Sequence, residues 1–227
     1  MSMCIGSHPK VNYVGDVDLA DLIDGKYKKG DVLHAVVWTA RYSLINEYFP
    51  NNRYIFMLRD LRGVVSSMLD LEWSEKYAAA EICRSLLGIT DWRKQYEATG
   101  YLVDVHKNPV MTATACAYLK SYQLVLYRQK SLNVLPVRYE EFVKNPSSTL
   151  EEVLNFLGLS WSVRVLQHDD LMEGDEFAGN DPKRPIDTAS VDKWKSRLSE
   201  SEILTVLDTV KCLDGIFDGF AKDYELI

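Results

Sequence analysis

Short apolar runs alternate with segments of helical periodicity along this chain. The strongest strand prediction is Tyr54–Leu58, which is rich in aromatic and β-branched residues and follows a Pro-Asn-Asn turn. Val134–Tyr139 predicts a second strand, in which Pro136 favours an edge position or a strand start. Val32–Val37 predicts a third, weaker strand. Nearly continuous apolar strands are typical of a parallel sheet that is covered on both faces.

Helical periodicity fills the segments between and after these runs. Asn145 is a predicted N-cap before a proline at the first helical position, and Gly158 stands where that helix needs a left-handed residue. Ser199 and Glu202 form a predicted capping box for a helix near the C-terminus. Two further helices are predicted over Thr39–Tyr48 and Gly63–Leu71. Strands that alternate with helices predict an α/β domain with a parallel sheet.

The length of 227 residues and the absence of repeats predict a single domain over 1–227. Residues 70–129 are predicted to be helix-rich and are dense in Tyr and Trp. Residues 169–190 are polar, contain Gly and Pro, and predict a long loop. Loops of that length are usually functional or mobile.

The composition places the chain among ordinary globular proteins, with 47 % hydrophobic and 26 % charged residues. Lys and Arg number 26 against 33 Asp and Glu, a formal net charge of −7. That balance argues against broad binding to nucleic acid or to an anionic membrane surface. No apolar run reaches the roughly 18 residues of a membrane helix. We therefore predict no nucleic-acid partner and no membrane span.

The four cysteines lie far apart and form no C-x-x-C pair. A disulfide framework and a metal site are therefore weakly supported, and no metal is predicted. We expect the cysteines to be small buried apolar residues in a reducing, cytoplasmic compartment.

The segment Leu58–Met68 joins the end of a predicted strand to the start of a helix. Ligands of parallel α/β sheets bind at the carboxyl ends of the strands, where Arg59 stands. Its guanidinium suits a phosphate, and the helix N-terminus adds unpaired N–H groups. Ser67, about two turns into the helix, is placed to donate to the same phosphate. The alternative is that Arg59 forms a surface ion pair with Asp60 while the serines face solvent.

At this corner the sequence RDLRGVVSSML resembles the 3′-phosphate-binding segment of sulfotransferases that use 3′-phosphoadenosine 5′-phosphosulfate (PAPS), with Leu61 in place of the usual proline. Val137–Leu159 and Ser190–Ile203 are similar to two later segments of that family and follow in the family's order. The resemblance implies a P-loop-NTPase-like three-layer sandwich with a central parallel sheet, of the sulfotransferase type and N-terminally truncated.

The resemblance also implies roles for individual residues. Arg59 and Ser67 would hold the 3′-phosphate of PAPS, and Tyr139 would lie near the adenine. Lys183 and Arg184 are the nearest match to the basic residues that reach the same phosphate. The alternatives are a buried aromatic residue at Tyr139 and a solvated charge pair at Lys183 and Arg184.

Sulfuryl transfer requires a general base that removes the proton of the acceptor. Asp16 and His34 stand where branches of the family carry a carboxylate or a histidine, and they are alternative candidates. A third alternative is that neither residue is the base. His8 and Trp194 are interpreted as structural residues.

The chain departs from the family at its N-terminal end. The family's first strand and its Lys/Arg-Ser-Gly-Thr loop, which wraps the 5′-phosphosulfate, have no counterpart here. The chain is therefore a fragment, a non-catalytic member, or a protein in which other cations fill the anion site. Those cations would be drawn from Lys26, Lys28, Lys29 and Arg41. A sheet that lacks an inner strand exposes an apolar edge, which favours a homodimer.

The sequence thus predicts a sulfotransferase that moves a sulfuryl group from PAPS to a hydroxyl or amine. The acceptor is an unidentified small molecule, glycan or lipid, and residues 70–129 would shape its site. The alternative is a nucleotide-binding or interaction protein on the same fold that does not catalyse the transfer.

Overall fold

The computed structural model describes residues 1–16, 24–28, 31–34, 46–70, 75–102, 108–171, 181 and 183–227. Most of the predicted helix Thr39–Tyr48 and the end of the predicted strand Val32–Val37 lie outside the described residues. Lys29 and Arg41, two of the substitute cations, also lie outside them.

The described helices and strands follow one another in a mixed order, with four consecutive helices between the third and fourth strands. In chain order they are α1 (Ser2–Gly6), β1 (Asn12–Asp16), β2 (Asp31–His34), β3 (Arg53–Leu58), α2 (Leu61–Asp70), α3 (Glu75–Leu87), α4 (Trp92–Leu102), α5 (Pro109–Gln129), β4 (Asn133–Arg138), α6 (Tyr139–Lys144), α7 (Pro146–Leu157), a 3₁₀ turn (Val163–Leu166), α8 (His168–Leu171), α9 (Trp194–Arg197), α10 (Glu200–Ile216) and α11 (Phe220–Asp223).

The chain divides into two compact units. The first unit comprises Met1–Phe56 and Leu132–Asp187, and the second comprises Met57–Ser131 and Thr188–Ile227. The single domain over 1–227 stays a prediction.

The strands of the first unit form two pairs. β1 and β2 are parallel, with Asn12 opposite Asp31, and an irregularity in β1 separates Val14 from Asp16. β3 pairs with β4 in a second two-stranded sheet. α1 packs against β1 and β2, while α6 and α7 pack against β4. The parallel pair agrees with the sheet type that the sequence predicts.

The second unit is built around α5, which packs against α2, α3 and α10. α5 buries residues at most of its positions, and most of these residues are apolar, as is typical of a helix surrounded by others. Its N-terminus begins at a proline, and the side chain of Asn108 accepts hydrogen bonds from the N–H groups of Val110 and Met111.

An aromatic cluster joins α5 to the C-terminal helices. Tyr118 and Tyr122 of α5 lie with their ring centroids 4.6–5.8 Å from those of Phe217 and Phe220. The Tyr118 hydroxyl donates to a carboxylate oxygen of Asp214 at 2.6 Å. That bond lets a buried phenol stay satisfied inside the core.

Where the sequence predicts the end of a helix or strand that the structure describes, most of the observed ends lie within two residues of it. β3 spans the predicted strand, and α2 begins two residues before the predicted Gly63. β4 ends before Tyr139, which instead opens α6. The predicted loop 169–190 is wrong at its first residues, because 169–171 continue the short helix α8.

Two of the three predicted caps are formed in full. Ser199 and Glu202 make both hydrogen bonds of the capping box of α10. Gly158 ends α7 in the left-handed conformation, with φ of +76°. Asn145 occupies the N-cap of α7, but its side chain makes no capping hydrogen bond.

The expectation that every cysteine is buried is wrong for two of them. Cys4 and Cys116 are buried, whereas Cys83 and Cys212 are exposed. Both exposed thiols lie on helices that are amphipathic rather than wholly buried, and sequence composition does not reveal which face a cysteine occupies. In the described part of the chain, no helix is both long and apolar enough to cross a membrane.

Candidate functional site

The corner between β3 and α2 places the guanidinium of Arg59 on the first turn of the helix. Arg59 follows the last residue of β3, and its Nη2 atom donates to the backbone carbonyl of Ser190 at 2.7 Å. A Cβ atom at Gly63 would lie only 3.1 Å from Nε of Arg59. Glycine at this position therefore leaves the space that the guanidinium occupies.

Ser67 lies on the same face of α2 as Gly63, because residues four apart are neighbours on a helix. Ser67 is half-buried, while Ser66 beside it is buried. The guanidinium of Arg59 and the hydroxyl of Ser67 therefore share one helix face. Planar cationic donors combined with a hydroxyl form a donor set that suits a phosphate oxyanion.

The first N–H groups of α2 are occupied by the protein itself. The N–H of Leu61 donates to the carbonyl of Leu226 at 2.8 Å, and the N–H of Arg62 donates to Oδ1 of Asp60 at 2.8 Å. The expectation of unpaired N–H groups is therefore wrong at these two positions. The returning C-terminal segment and an adjacent carboxylate satisfy them, so side chains must supply more of any anion binding.

Asp60 is bound by Arg62. Nε and Nη2 of Arg62 donate to the two carboxylate oxygens of Asp60 at 3.0 and 2.5 Å. The same guanidinium lies 4.1 Å from the ring centre of Trp194, which is 8 % exposed. Arg62 thus neutralises the carboxylate of Asp60 at the β3–α2 corner, and Trp194 has the packing role that the sequence predicts.

Two segments that lie far apart in the sequence meet at this corner. Ser190 accepts the hydrogen bond from Arg59, and Trp194 covers Arg62. Arg197 of α9 forms an ion pair with Asp70 at the end of α2. The first and third of the family-like segments are therefore fixed against each other within the second unit.

Three of the candidate nucleotide residues lie in the first unit. Tyr139 opens α6 and is half-buried, while Lys183 and Arg184 are exposed. The guanidinium of Arg184 donates to Asp187 at 2.9 Å, and this hydrogen bond is the main cause that raises the pKa of Arg184. Tyr139 makes a smaller electrostatic contribution to the same pKa shift.

The two alternative base candidates are neighbours in the backbone. Asp16 ends β1 and His34 ends β2, and they are partners in the parallel register. Both therefore lie at the carboxyl ends of adjacent parallel strands, where α/β proteins place their ligands. The strand register does not show which of the two residues is the base.

His8 is a structural residue, as the sequence predicts. It is 2 % exposed, and its Nε2 donates to the carbonyl of Ser160 at 2.9 Å. Its Nδ1 accepts from the N–H of Lys10 at 3.2 Å. Both ring nitrogens are therefore used within the fold.

Sequence reasoning missed the carbonyl of Ser190 and the buried His168, which binds the backbone of Arg184 at 3.1 Å. Neither residue carries a local signal, because each bond joins positions that sequence patterns do not pair. Among the described residues, no group of three or more His, Cys, Asp or Glu is arranged to hold a metal ion.

Comparison with protein families gives a match to the sulfotransferase family over residues 35–163. Protein-tyrosine sulfotransferase 2 of Gallus gallus is 25 % identical over 158 residues, which cover 66 % of this chain and 36 % of that protein. A putative protein-tyrosine sulfotransferase of Caenorhabditis elegans is 25 % identical over 178 residues, covering 76 % of this chain and 58 % of that protein. The chain thus spans only part of the relatives that it matches.

A solved structure supports the same fold. The sulfotransferase domain from the curacin biosynthetic pathway superposes with a TM-score of 0.50 at 19 % identity. The superposition covers 81 % of this chain and 63 % of that domain. The chain therefore has an α/β fold of the sulfotransferase type.

Proposed function

The chain belongs to the sulfotransferase family, and from that premise we propose that it transfers a sulfuryl group from PAPS to an acceptor hydroxyl. One observation carries the proposal. The guanidinium of Arg59 lies over Gly63 on the helix face that also holds Ser67, and the carbonyl of Ser190 fixes it there. A fixed guanidinium beside a hydroxyl supplies a set of donors that suits a phosphate.

The transfer breaks the bond between sulfur and the bridging oxygen of the 5′-phosphate and forms a bond between sulfur and the acceptor oxygen. The acceptor proton passes to a base, and 3′-phosphoadenosine 5′-phosphate (PAP) leaves. We assign the 3′-phosphate to Arg59 and Ser67. Tyr139, Lys183 and Arg184 keep the nucleotide roles that the family resemblance implies.

We assign the base to Asp16 or His34. This assignment is supported by the strand register, in which Asp16 and His34 are partners at the ends of β1 and β2 and therefore lie at the same edge of the sheet. Replacing the true base removes a proton transfer that contributes about 10²- to 10⁴-fold to the rate. Asp16→Asn and His34→Gln are therefore compared by kcat, and only one of the two is expected to lose activity on that scale.

The first acceptor to test is the hydroxyl of a peptide tyrosine. The chicken and nematode relatives are named as protein-tyrosine sulfotransferases, and that naming is the support for this choice. The assay follows transfer of labelled sulfate from PAPS to a tyrosine peptide, with the matching phenylalanine peptide as control. Transfer to neither the peptide nor other hydroxyl acceptors, in a protein that binds PAP, would favour the non-catalytic alternative.

The nucleotide site is tested by thermal unfolding with and without PAP. A ligand at 100 times its Kd stabilises by about 2.7 kcal/mol. For a chain of this length that raises the Tm by about 5–11 °C. Arg59→Ala is expected to abolish the shift, and Arg59→Lys to restore little of it because lysine lacks the planar fork.

Arg93→Ala is the matched control, because Arg93 is an exposed arginine on α4 of the same unit. It is expected to keep the full shift. A wild-type protein that shows no shift would contradict nucleotide binding. An unchanged shift in Arg59→Ala would contradict the assignment of the phosphate corner.

A further inference from the structure

His168, the buried residue of the short helix α8, connects that helix to the exposed basic segment 183–187. The histidine opens α8 and is 6 % exposed, and its Nε2 lies 3.1 Å from the carbonyl oxygen of Arg184. A carbonyl only accepts, so Nε2 carries the proton and donates. The bond spans 16 residues of sequence.

The other side of the ring faces α1. Cys4 of α1 is 1 % exposed, and Nδ1 of His168 is buried without a hydrogen-bond partner in the described part of the chain. The interaction with the Cys4 side chain is the main cause that raises the pKa of His168, ahead of burial, which lowers it. The ring is thus enclosed on the Cys4 side and bonded on the Arg184 side.

Further hydrogen bonds around Arg184 join residues that are close in sequence. Its N–H donates to the carbonyl of Asp181 at 3.2 Å, and the N–H of Lys183 donates to the side chain of Asp181 at 2.8 Å. The guanidinium itself binds Asp187, three residues later. These bonds lie within the segment or join it to Asp181, whereas the hydrogen bond from His168 connects the segment to α8.

We propose that His168 is a positioning residue, which anchors the backbone of the basic segment 183–187 so that the exposed side chains of Lys183 and Arg184 are held in place for an anionic ligand. The anchoring itself does not depend on the ligand. The identity of the ligand as a phosphate of PAP rests on the proposed function. The experiment therefore measures the anchoring without nucleotide and the binding separately.

The anchoring is measured by limited trypsin digestion of the full chain. Trypsin cuts after Lys183, while Pro185 blocks the cut after Arg184, so one product pair reports the opening of this segment by mass spectrometry. Loss of one hydrogen bond is expected to raise the rate of this cut about two- to tenfold in His168→Ala. An unchanged rate in that variant would overturn the proposal.

A conservative pair separates anchoring from packing. The amide nitrogen of His168→Gln reaches roughly where Nε2 lies and is expected to restore the slow cut, whereas the shorter His168→Asn is expected to be cut quickly. Comparison of His168→Gln with His168→Asn tests the anchoring even when His168→Ala does not fold. Equal rates in the two variants would overturn the proposal, because a merely structural role predicts no such rescue.

His8→Ala is the matched control. His8 is a second buried histidine of the first unit whose Nε2 binds a distant backbone carbonyl, that of Ser160. Its loss is expected to lower the Tm without changing the cut after Lys183, at a temperature well below unfolding. Equal acceleration by His8→Ala would show that general destabilisation explains the effect and would overturn the proposal.

The ligand is tested with PAP as the probe. His168→Ala is expected to raise the Kd for PAP about two- to tenfold, and His168→Gln to restore it. In the double variant Lys183→Ala/Arg184→Ala, the change at His168 is expected to have no further effect. Faster cutting in a protein that does not bind PAP would refute the proposed function and leave the anchoring intact. Normal PAP binding with unchanged cutting would refute the anchoring alone.

Discussion

Replacing Gly63 with alanine is expected to separate helix stability from nucleotide binding. Alanine gains about 0.8–1.0 kcal/mol over glycine inside a helix, and about half of that at the third residue of α2. The new methyl group would stand 3.1 Å from Nε of Arg59, so the guanidinium must move by a few tenths of an ångström. That movement strains its 2.7 Å bond to Ser190, a charge-assisted bond worth about 1.5–3 kcal/mol in full.

We take the strain as about a third of that bond, or roughly 0.5–1 kcal/mol, which offsets the gain in helix propensity. The free energy of unfolding of Gly63→Ala is therefore expected to stay within about 0.5 kcal/mol of wild type. The gain in helix propensity does not compensate for the loss of binding, because the displaced guanidinium no longer has its best position for a hydrogen bond to the phosphate. The Kd for PAP is expected to rise about three- to tenfold, which corresponds to about 0.7–1.4 kcal/mol.

Gly100→Ala is the matched control, since Gly100 lies within α4 and a Cβ there meets nothing within 4 Å. It is expected to be more stable than wild type by up to about 1 kcal/mol and to bind PAP normally. Chemical denaturation measures the stabilities, and titration calorimetry measures the Kd. The reasoning is refuted if Gly63→Ala binds PAP as wild type does, or if it weakens binding equally when Arg59 is already alanine.

Three further substitutions test the structural framework. Tyr118→Phe removes a buried bond to a carboxylate of Asp214 and should lower the free energy of unfolding by about 1.5–3 kcal/mol in denaturant titration; a loss under 0.5 kcal/mol would contradict the bond. Gly158→Ala forces a side chain into φ of +76° and should cost about 1–2 kcal/mol, seen as a Tm lower by about 2–8 °C; an unchanged Tm would contradict the left-handed cap. The backbone N–H at the N-cap of α10 lowers the pKa of Glu202, so its stabilisation is present above the ordinary carboxyl pKa and fades as the pH falls through the lowered one. The Tm difference between wild type and Glu202→Gln should therefore shrink between pH 7 and pH 3, and a constant difference would contradict the charged cap.

The nucleotide corner illustrates how far sequence reasoning reaches. The strand, the turn at Arg59 and the helix that follows were predictable, because each depends on residues within about four positions of one another. The family resemblance supplied the pairing of Arg59 with Ser67, and the helix geometry places Ser67 on the face that carries Gly63. The use of those residues in binding stays a prediction until the nucleotide is tested.

Sequence by itself determined the local features of this protein: the strand Arg53–Leu58, the capping box at Ser199 and the left-handed end at Gly158. Their free energies come from neighbouring backbone and side-chain groups, so a short stretch of residues contains the whole cause.

Tertiary structure alone decided which distant groups meet. In the folded chain the guanidinium of Arg59 donates a hydrogen bond to the carbonyl of Ser190, 131 residues away, and the ring of His168 donates to the carbonyl of Arg184. The N–H of Leu61 donates to the carbonyl of Leu226, whereas the helix pattern alone suggested an unpaired donor at the start of α2. Such bonds form because packing the whole chain must satisfy most buried donors and acceptors, a condition that no local pattern records.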